Sequence, residues 1–282
     1  MKTSKFEAQP EINSTLYTGG QVKAMEIDKK NNLWIGTVDG VSVGTIGEQN
    51  FKRFNYLDSL IIGPITALYC DSNGDMWIGT DQMGGKPGLL KYYADKDLFK
   101  RVPTLSGIIP KALAMDNKGI LWIGTSQGLI AFRNDSILSV VTQNDGLLSD
   151  NINLLAAGDD GSIYIGTNYG LNRFIPGTKQ IFSYTERNGF PGIETKQNAV
   201  FNSPEGDLWF GTANGATKLH PEKTSTDELQ PLTHIMGMRV NYEAREMTAG
   251  MKLSYNDKSV LFDYYSICLT NPEVVRYKVM LQ

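Results

Sequence analysis

A short phrase of strand-forming residues occurs five times along this chain, and each copy ends in a Gly-Thr pair. The glycines of these pairs follow one another at steps of 43, 45, 42 and 45 residues. A period in this range marks a unit of several strands that cannot bury its own faces and must stack on copies of itself. The repeat therefore predicts a β-propeller. The copies are Leu33-Trp34-Ile35-Gly36-Thr37, Met76-Trp77-Ile78-Gly79-Thr80, Leu121-Trp122-Ile123-Gly124-Thr125, Ile163-Tyr164-Ile165-Gly166-Thr167 and Leu208-Trp209-Phe210-Gly211-Thr212.

The third repeat shows the strands of one unit. Apolar segments separated by turn residues predict strands over 111–116, 120–125, 129–132 and 137–142. Four antiparallel strands make one propeller blade. We expect five such blades within residues 1–221, the last of them ending after its third strand at Leu219. Residues 10–17, before the first repeat, are predicted to form a lone fourth strand.

The repeated polar residues are predicted to serve the hairpin turns. A tight turn needs a positive φ, which Gly or Asn adopts at low cost. Aspartates stand three residues before this position in the first three copies, where a carboxylate can accept N–H groups of the turn. Gly158 and Ser203 replace the aspartate in the last two copies, so a catalytic or calcium-binding role is not expected. The turn residues are Asn31, Gly74, Gly119, Gly161 and Gly206, and the aspartates are Asp28, Asp71 and Asp116.

The repeated tryptophans, with Tyr164 in the fourth copy, are predicted to fill the seams between neighbouring blades. A ring set between Leu and Ile in a strand is more often packed in a core than exposed. The alternative is a row of rings that stacks on carbohydrate.

The composition limits the classes of function. The net charge of -3 provides no basic field for nucleic acid, which is excluded as a partner. No segment has the roughly 18 to 20 apolar residues of a membrane span, and the first residues lack the apolar core of a signal peptide. Neither His220 nor His234 has metal-ligating companions at a suitable spacing. We therefore predict no catalytic residues, no metal and no cofactor, and we expect Cys70 and Cys268 to be buried thiols.

Candidate ligand-binding residues are the polar ones in loops that depart from the repeat. If the strands of each blade run outward from the axis, the turns after Gly-Thr and the linkers between blades open on one face. The turn of the second blade is five residues longer than the others, and such insertions often bind ligands. These side chains suit a polyhydroxylated ligand, although any solvated loop contains them. The candidates are Asp39, Gln82, Lys86, Gln127, Asn144, Asn168, Tyr169, Arg187 and Asn214.

The period stops after Pro221. Residues 222–230 have the composition of a linker, and alternating aromatic strands follow within 231–282. They predict the opening part of an incomplete β-sandwich, since a complete one needs about seven strands.

The chain resembles two-component-regulator propeller repeats followed by the start of a Tyr-rich immunoglobulin-like domain. The resemblance lies in Asp-x-x-Gly-x-Leu-Trp-Ile-Gly-Thr with the following Gly-Leu at 116–129, in the inter-blade phrase at 146–152, and in tail segments over 253–279. It implies part of the periplasmic sensor region of a Bacteroidetes hybrid two-component system. The parent protein would add a membrane helix, a histidine kinase, a receiver and a DNA-binding domain.

The resemblance further implies an oligosaccharide or another small polar ligand, and a homodimer formed through the immunoglobulin-like domain. Five blades are fewer than the seven of a complete propeller, so we expect an open arc rather than a closed five-bladed ring. Two other functions stay open: a propeller hydrolase or lyase acting on glycans or peptides, and a purely protein-binding propeller.

Overall fold

The computed structural model of the chain describes residues 21–45, 51–54, 56–57, 60–61, 63–81, 86–186, 189–221, 233–248 and 251–266. The chain divides into two compact units, residues 1–223 and 224–282. Strands dominate the described residues of both units, which confirms the predicted all-β class. The predicted linker 222–230 and Cys268 lie outside the described residues, and Cys70 is a half-buried free thiol.

Five antiparallel sheets make up the described part of the first unit, together with a small hairpin. Four of these sheets have four strands in sequential order, as in propeller blades, so the predicted blades are confirmed. The first blade comprises β1 (Val22–Ile27), β2 (Asn32–Thr37), β3 (Gly40–Thr45) and β4 (Phe51–Phe54). The hairpin β5 (Tyr56–Leu57) and β6 (Leu60–Ile61) follows. The second blade comprises β7 (Ile65–Cys70), β8 (Met76–Thr80), β9 (Gly88–Tyr93) and β10 (Leu98–Arg101).

The remaining blades repeat this order. The third comprises β11 (Ala112–Met115), β12 (Leu121–Gly124), β13 (Leu129–Arg133) and β14 (Ser136–Val141). The fourth comprises β15 (Ile152–Ala157), β16 (Ile163–Thr167), β17 (Gly170–Ile175) and β18 (Gln180–Tyr184). The fifth comprises β19 (Thr195–Asn202), β20 (Leu208–Thr212) and β21 (Gly215–Leu219). The fifth sheet thus has three described strands rather than the four of a full repeat, and residues 10–17 lie outside the described residues. The open arc stays a prediction.

The repeated aromatic rings fill the seams between blades, as predicted for them. In the first four blades each ring contacts an aromatic residue of the next blade, and its own exposure is 9% or less, whereas Trp209 of the fifth blade is 39% exposed and departs from the prediction. The glycine two residues later allows this packing, because a Cβ on Gly124 would lie 2.5 Å from Cγ2 of Ile152 in the next blade. The ring pairs, with centroid separations, are Trp34–Tyr92 at 5.1 Å, Trp77–Phe132 at 6.5 Å, Trp122–Phe174 at 5.6 Å and Tyr164–Phe210 at 6.3 Å.

The repeated aspartates hold the hairpin turns, as expected, and they also bind the tryptophans. In the third blade, Oδ1 of Asp116 accepts the N–H groups of Lys118 and Ile120, both at 2.9 Å. Its Oδ2 accepts the indole N–H of Trp122 at 3.1 Å, and the first two blades have the same bond. In the fourth blade, where Gly158 replaces the aspartate, a tyrosine replaces the tryptophan. The buried hydroxyl of Tyr164 has no hydrogen-bond partner among the described residues.

The described part of the second unit is a three-stranded antiparallel sheet. Its central strand β22 (Thr233–Val240) pairs with β23 (Glu243–Arg245) on one side and with β24 (Val260–Ser266) on the other. An immunoglobulin-like fold for this unit stays a prediction.

Candidate functional site

The topology of the blades places two sets of loops at one end of the first unit. Strands 1 to 4 of a blade alternate in direction, so the turn after strand 2 and the linker after strand 4 both lie where strand 1 begins. Hydrogen bonds join the two sets, since Ile152 N–H donates to the carbonyl of Thr125 at 2.9 Å and Asp81 N–H to that of Pro64 at 2.8 Å. We call this end the linker end.

The repeated threonines hold the turns at the linker end. The hydroxyl of Thr125 donates to the carbonyl of Gly128 at 2.8 Å and accepts the N–H of Gln127 at 2.9 Å. The hydroxyls of Thr37, Thr167 and Thr212 make both corresponding bonds. The Gly-Thr pair is therefore a structural device that presents the turn residues to solvent.

Most of the predicted site residues lie exposed at this end, on separate turns. Asn168 is half-buried and takes part in a side-chain network described below. Asn214 donates through its amide to the carbonyl of Pro191 at 3.2 Å. Tyr169 is 61% exposed, with its ring available for contact. Gln82 and Arg187 lie outside the described residues, and the exposed remainder are Asp39, Lys86, Gln127 and Asn144.

The innermost strands carry β-bulges where they begin at the linker end. In the first, second and fourth blades one extra residue interrupts the pairing of strand 1 with strand 2, and that residue is Lys23, Thr66 and Asn153 respectively. Lys111 occupies the corresponding position in the third blade, directly before β11. A bulge leaves backbone groups of the strand unpaired and re-aims a side chain. Four polar residues therefore surround the axis at one level.

The first strand of the fifth blade has a longer bulge, with two more inserted residues than the other bulged blades. Thr195 pairs with Thr212 and Val200 with Phe210, so four residues of β19 (196–199) lie opposite Gly211, where only two residues lie opposite the equivalent glycine in the other bulged blades. Asn198 adopts a φ of 54° there. Its amide donates to the carbonyls of Thr66 at 2.7 Å and Lys23 at 3.2 Å. The insertion thus reaches the first two blades.

Gln197 extends the same set of bonds. Its amide donates to the carbonyls of Thr66 at 3.2 Å and Lys111 at 3.3 Å. Because a backbone carbonyl that leaves the strand pairing requires a partner, these amides stabilise the bulges of the first two blades and the residue before β11 in the third. We call Lys23, Thr66, Lys111, Asn153, Gln197 and Asn198 the channel mouth.

A side-chain network connects the channel mouth to the turn of the fourth blade. The ammonium of Lys111 donates to the amide oxygens of Asn151 at 2.5 Å and Asn153 at 3.3 Å. The amide nitrogens of the same two residues donate to Oδ1 of Asn168 at 3.2 and 2.8 Å. Asn153 also donates to the carbonyl of Thr195 at 2.9 Å. Burial lowers the pKa of Lys111. The network therefore joins blades three to five around one cation.

A cavity of about 490 Å³ lies along the axis beyond the channel mouth. Its lining comes from the later residues of all five innermost strands, including Glu26, Tyr69 and Met115. Burial raises the pKa of Glu26 to about 7, although the N–H of Cys70 donates to this carboxylate and lowers it in part. The cavity thus contains a carboxyl group that titrates near neutral pH.

The loop analysis of the sequence missed five residues of this site, namely Lys111, Asn151, Asn153, Gln197 and Asn198. It examined the turns and linkers, whereas these residues precede or interrupt the first strand of a blade. A signal was present, because Lys111 and Asn153 are polar residues directly beside the apolar strand residues Ala112 and Leu154. The insertion in the fifth blade is visible only after the strands are aligned.

Known proteins resemble the chain in sequence and in fold. The family model described as two component regulator propeller matches residues 59–82. Histidine kinase P4 of Formosa agariphila is 20% identical in an alignment of 263 residues that covers 86% of this chain and 18% of the kinase. The extracellular domain of a hybrid two-component system of B. thetaiotaomicron is 22% identical with a TM-score of 0.63, covering 87% of this chain and 35% of that domain.

Enzymes are also among the structural neighbours. Virginiamycin B lyase of Staphylococcus aureus is 14% identical with a TM-score of 0.51, covering 74% of this chain and 72% of the lyase. Among the residues that the structure describes, no group of three His, Cys, Asp or Glu side chains could hold a metal ion. In the same residues no helix is long and apolar enough to span a membrane.

The chain spans about a fifth of the curated kinase and about a third of the extracellular domain that it matches. These matches support a sensor region of a two-component system. They confirm the resemblance predicted from the sequence: the chain carries the two-component regulator propeller repeat and shares the fold of the extracellular domains of such systems.

Proposed function

We propose that the chain is the ligand-sensing region of a membrane-bound hybrid two-component sensor, that it lies in the periplasm, and that its ligand is an oligosaccharide. The observation that carries this proposal is the channel mouth. It collects hydrogen-bond donors and acceptors from all five blades at the end where the variable loops also lie. The parent protein would transmit binding to a histidine kinase through the second unit.

The chemistry of the site supports a saccharide as the ligand. Sugar hydroxyls both donate and accept hydrogen bonds, and the network at Lys111, Asn151 and Asn153 presents an ammonium beside side-chain amides. The exposed ring of Tyr169 on the adjacent turn provides an apolar surface on which a sugar face can pack. Ligand pockets commonly combine such a surface with a few polar groups that fix orientation.

The experiment is a binding screen on the purified chain. We expect that some members of a panel of neutral and anionic oligosaccharides raise the unfolding temperature, because a ligand that binds only the folded state stabilises it by mass action. Isothermal titration calorimetry then gives the affinity of the best member.

Tyr169→Ala tests whether that saccharide binds at the linker end, and we expect it to weaken binding several-fold. Tyr255→Ala, in the second unit, is the matched control, since Tyr255 is 97% exposed. If no oligosaccharide of the panel binds, the proposal is wrong. If both substitutions leave a measured affinity unchanged, the site is wrongly assigned.

A further inference from the structure

Lys111 differs in its partners from two other half-buried cations among the described residues, Lys91 and Arg173. Lys91 lies 2.9 Å from a carboxylate oxygen of Asp75 and 3.3 Å from one of Asp71. The guanidinium of Arg173 lies 2.5 Å from Asp160. For Lys111 the described residues provide only the amide oxygens of Asn151 and Asn153. Carboxylates thus balance Lys91 and Arg173, whereas the described residues bring no carboxylate to the ammonium of Lys111.

The pKa values of Lys91 and Lys111 shift in opposite directions, because only Lys91 has carboxylate partners among the described residues. Burial lowers the pKa of Lys91, but the carboxylates of Asp75 and Asp71 raise it by more, so the pKa of Lys91 is raised overall. For Lys111 burial is the single cause, and it lowers the pKa. A desolvated cation without a counterion is costly, and an anion at the same place would recover that cost.

The amide network fixes the direction in which an anion could approach. The amide nitrogens of Asn151 and Asn153 are turned toward Asn168, so both amide oxygens face the ammonium. An ammonium has three N–H donors, of which these oxygens take two. The third N–H of the ammonium has no partner among the described residues.

We propose that the channel mouth binds an anionic saccharide, with a carboxylate or sulfate group of the sugar at the ammonium of Lys111. This inference rests on the proposed function and specifies the ligand class of that site. The anionic group accepts the third N–H and supplies the missing negative charge, while Asn151 and Asn153 hold the ammonium in place. Hydroxyl groups of the same sugar can donate to the amide oxygen of the exposed Gln197, since its amide nitrogen already donates to two backbone carbonyls.

The experiment compares anionic probes with neutral versions of the same molecules. The probes are hexuronate oligosaccharides beside their methyl esters, and sulfated galactose oligosaccharides beside their desulfated forms. By isothermal titration calorimetry we expect at least one anionic probe to bind about 10- to 100-fold more tightly than its neutral version, the range for a charge-assisted hydrogen bond. Which pair shows the preference distinguishes a carboxylate from a sulfate.

Substitutions identify the residue that causes the preference for the anionic probe. Lys111→Gln should abolish it, and Lys111→Arg should retain most of it. Lys118→Gln is the matched control, because Lys118 is an exposed lysine in the hairpin turn at the opposite end of the same blade. Lys23→Gln tests the other lysine whose backbone contributes to the mouth. If Lys111→Gln does not fold, the comparison of charged and neutral probes on the unaltered chain decides.

The outcomes separate this inference from the proposed function. Equal binding of charged and neutral probes overturns the anionic ligand and leaves a saccharide sensor standing. A preference that survives in Lys111→Gln, or that is lost in Lys23→Gln alone, also overturns the inference. If neither probe of any pair binds and the wider saccharide panel fails as well, the proposed function falls with it.

Discussion

The repeated tryptophan has two different environments in this chain. One copy lies in the seam between the third and fourth blades, and another lies on the outer face of the fifth blade. Trp122 is 2% exposed and packs edge-on against Phe174, whereas Trp209 is 39% exposed. Near Trp209 the ammonium of Lys218 lies 5.4 Å from the ring centroid. The ring is therefore buried by the blade that follows and not by its own blade. The repeated phrase predicts a buried tryptophan only where another repeat packs against it.

In the first blade, a covered side chain and an exposed one lie next to each other on one strand. Met25 and Glu26 are neighbours in β1, and their side chains point to opposite faces of the sheet. Glu26 faces the second blade, where it accepts the N–H of Cys70. Met25 is 63% exposed, although Leu68 and Leu113, its counterparts in the next two blades, are 8% and 7% exposed. Met25 of the first blade and Trp209 of the fifth are thus exposed, in contrast to their counterparts in the seams within.

The largest effect is expected at the seam tryptophan. Trp122→Ala should lower the free energy of unfolding by roughly 3 to 5 kcal/mol, the range for truncation of a buried aromatic side chain. Trp209→Ala should cost less than about 1 kcal/mol, because its ring is already partly hydrated. Chemical denaturation of the two variants measures the difference. Equal costs would show that the fifth blade buries its own tryptophan.

The second prediction concerns Glu26 on the covered side of β1. Its folded-state pKa of about 7 exceeds the ordinary value of 4.5, so the protonated carboxyl favours the folded state. This stabilisation is complete below pH 4.5 and is lost as the pH rises through about 7. It amounts to up to roughly 3 kcal/mol at about 1.4 kcal/mol per pKa unit.

Glu26→Gln checks this prediction, because glutamine cannot titrate. Denaturation near pH 5 and near pH 8 should show the unaltered chain losing stability with rising pH relative to the variant. A constant difference between the two proteins would mean that Glu26 is hydrated and that its face of β1 is not covered.

The third prediction addresses the aspartate that supports the seam tryptophan. Asp116→Ala should cost about 1 to 3 kcal/mol, since it leaves a buried indole N–H and two turn N–H groups without their acceptor. Asp159→Ala, an exposed aspartate in the corresponding turn of the fourth blade, is the control and should be nearly neutral. A neutral Asp116→Ala would refute the structural role assigned to the repeated aspartates.

The smallest effect is expected on the outer face of the first blade. Met25→Ala should change the free energy of unfolding by no more than about 0.5 kcal/mol, as is usual for exposed positions. Leu113→Ala, at the equivalent inner position, should cost roughly 2 to 5 kcal/mol. A cost above about 2 kcal/mol for Met25→Ala would mean that this face is covered.

The fold could be predicted from the sequence because every repeat has the same kinds of residues at its turns and at its seam. Turn residues with positive φ, such as Gly119, and the aspartates before them mark the hairpins, and a single ring per repeat marks the seam. The candidate site could be predicted only in part. Asn168 was found because it lies in a turn, but its partners Asn151 and Asn153 lie at the start of the first strand of the same blade. Lys111, which donates to both of them, belongs to the third blade, and no local pattern encodes that contact between blades.

The insertion in β19 illustrates the same limit. Gln197 and Asn198 resemble ordinary loop residues in the sequence, and their contacts are set by carbonyls at the start of three other strands, two of which are bulged there. A bulge is a departure from pairing that becomes visible only with the partner strand. The polar residues that the structure brings together at the channel mouth therefore lie at departures from the repeat, of which the turns and linkers are only some.

The central claim is that ligand binding occurs at these departures and leaves the repeated residues as a framework. Hydrogen exchange measured by mass spectrometry, with and without the saccharide that stabilises the chain most, tests it directly. We expect added protection in peptides that cover 110–115, 151–155 and 195–200, with little change in the hairpin turns around Gly119 and Gly161 at the opposite end. Protection confined to those turns, or to the outer faces at Met25 and Trp209, would contradict the account.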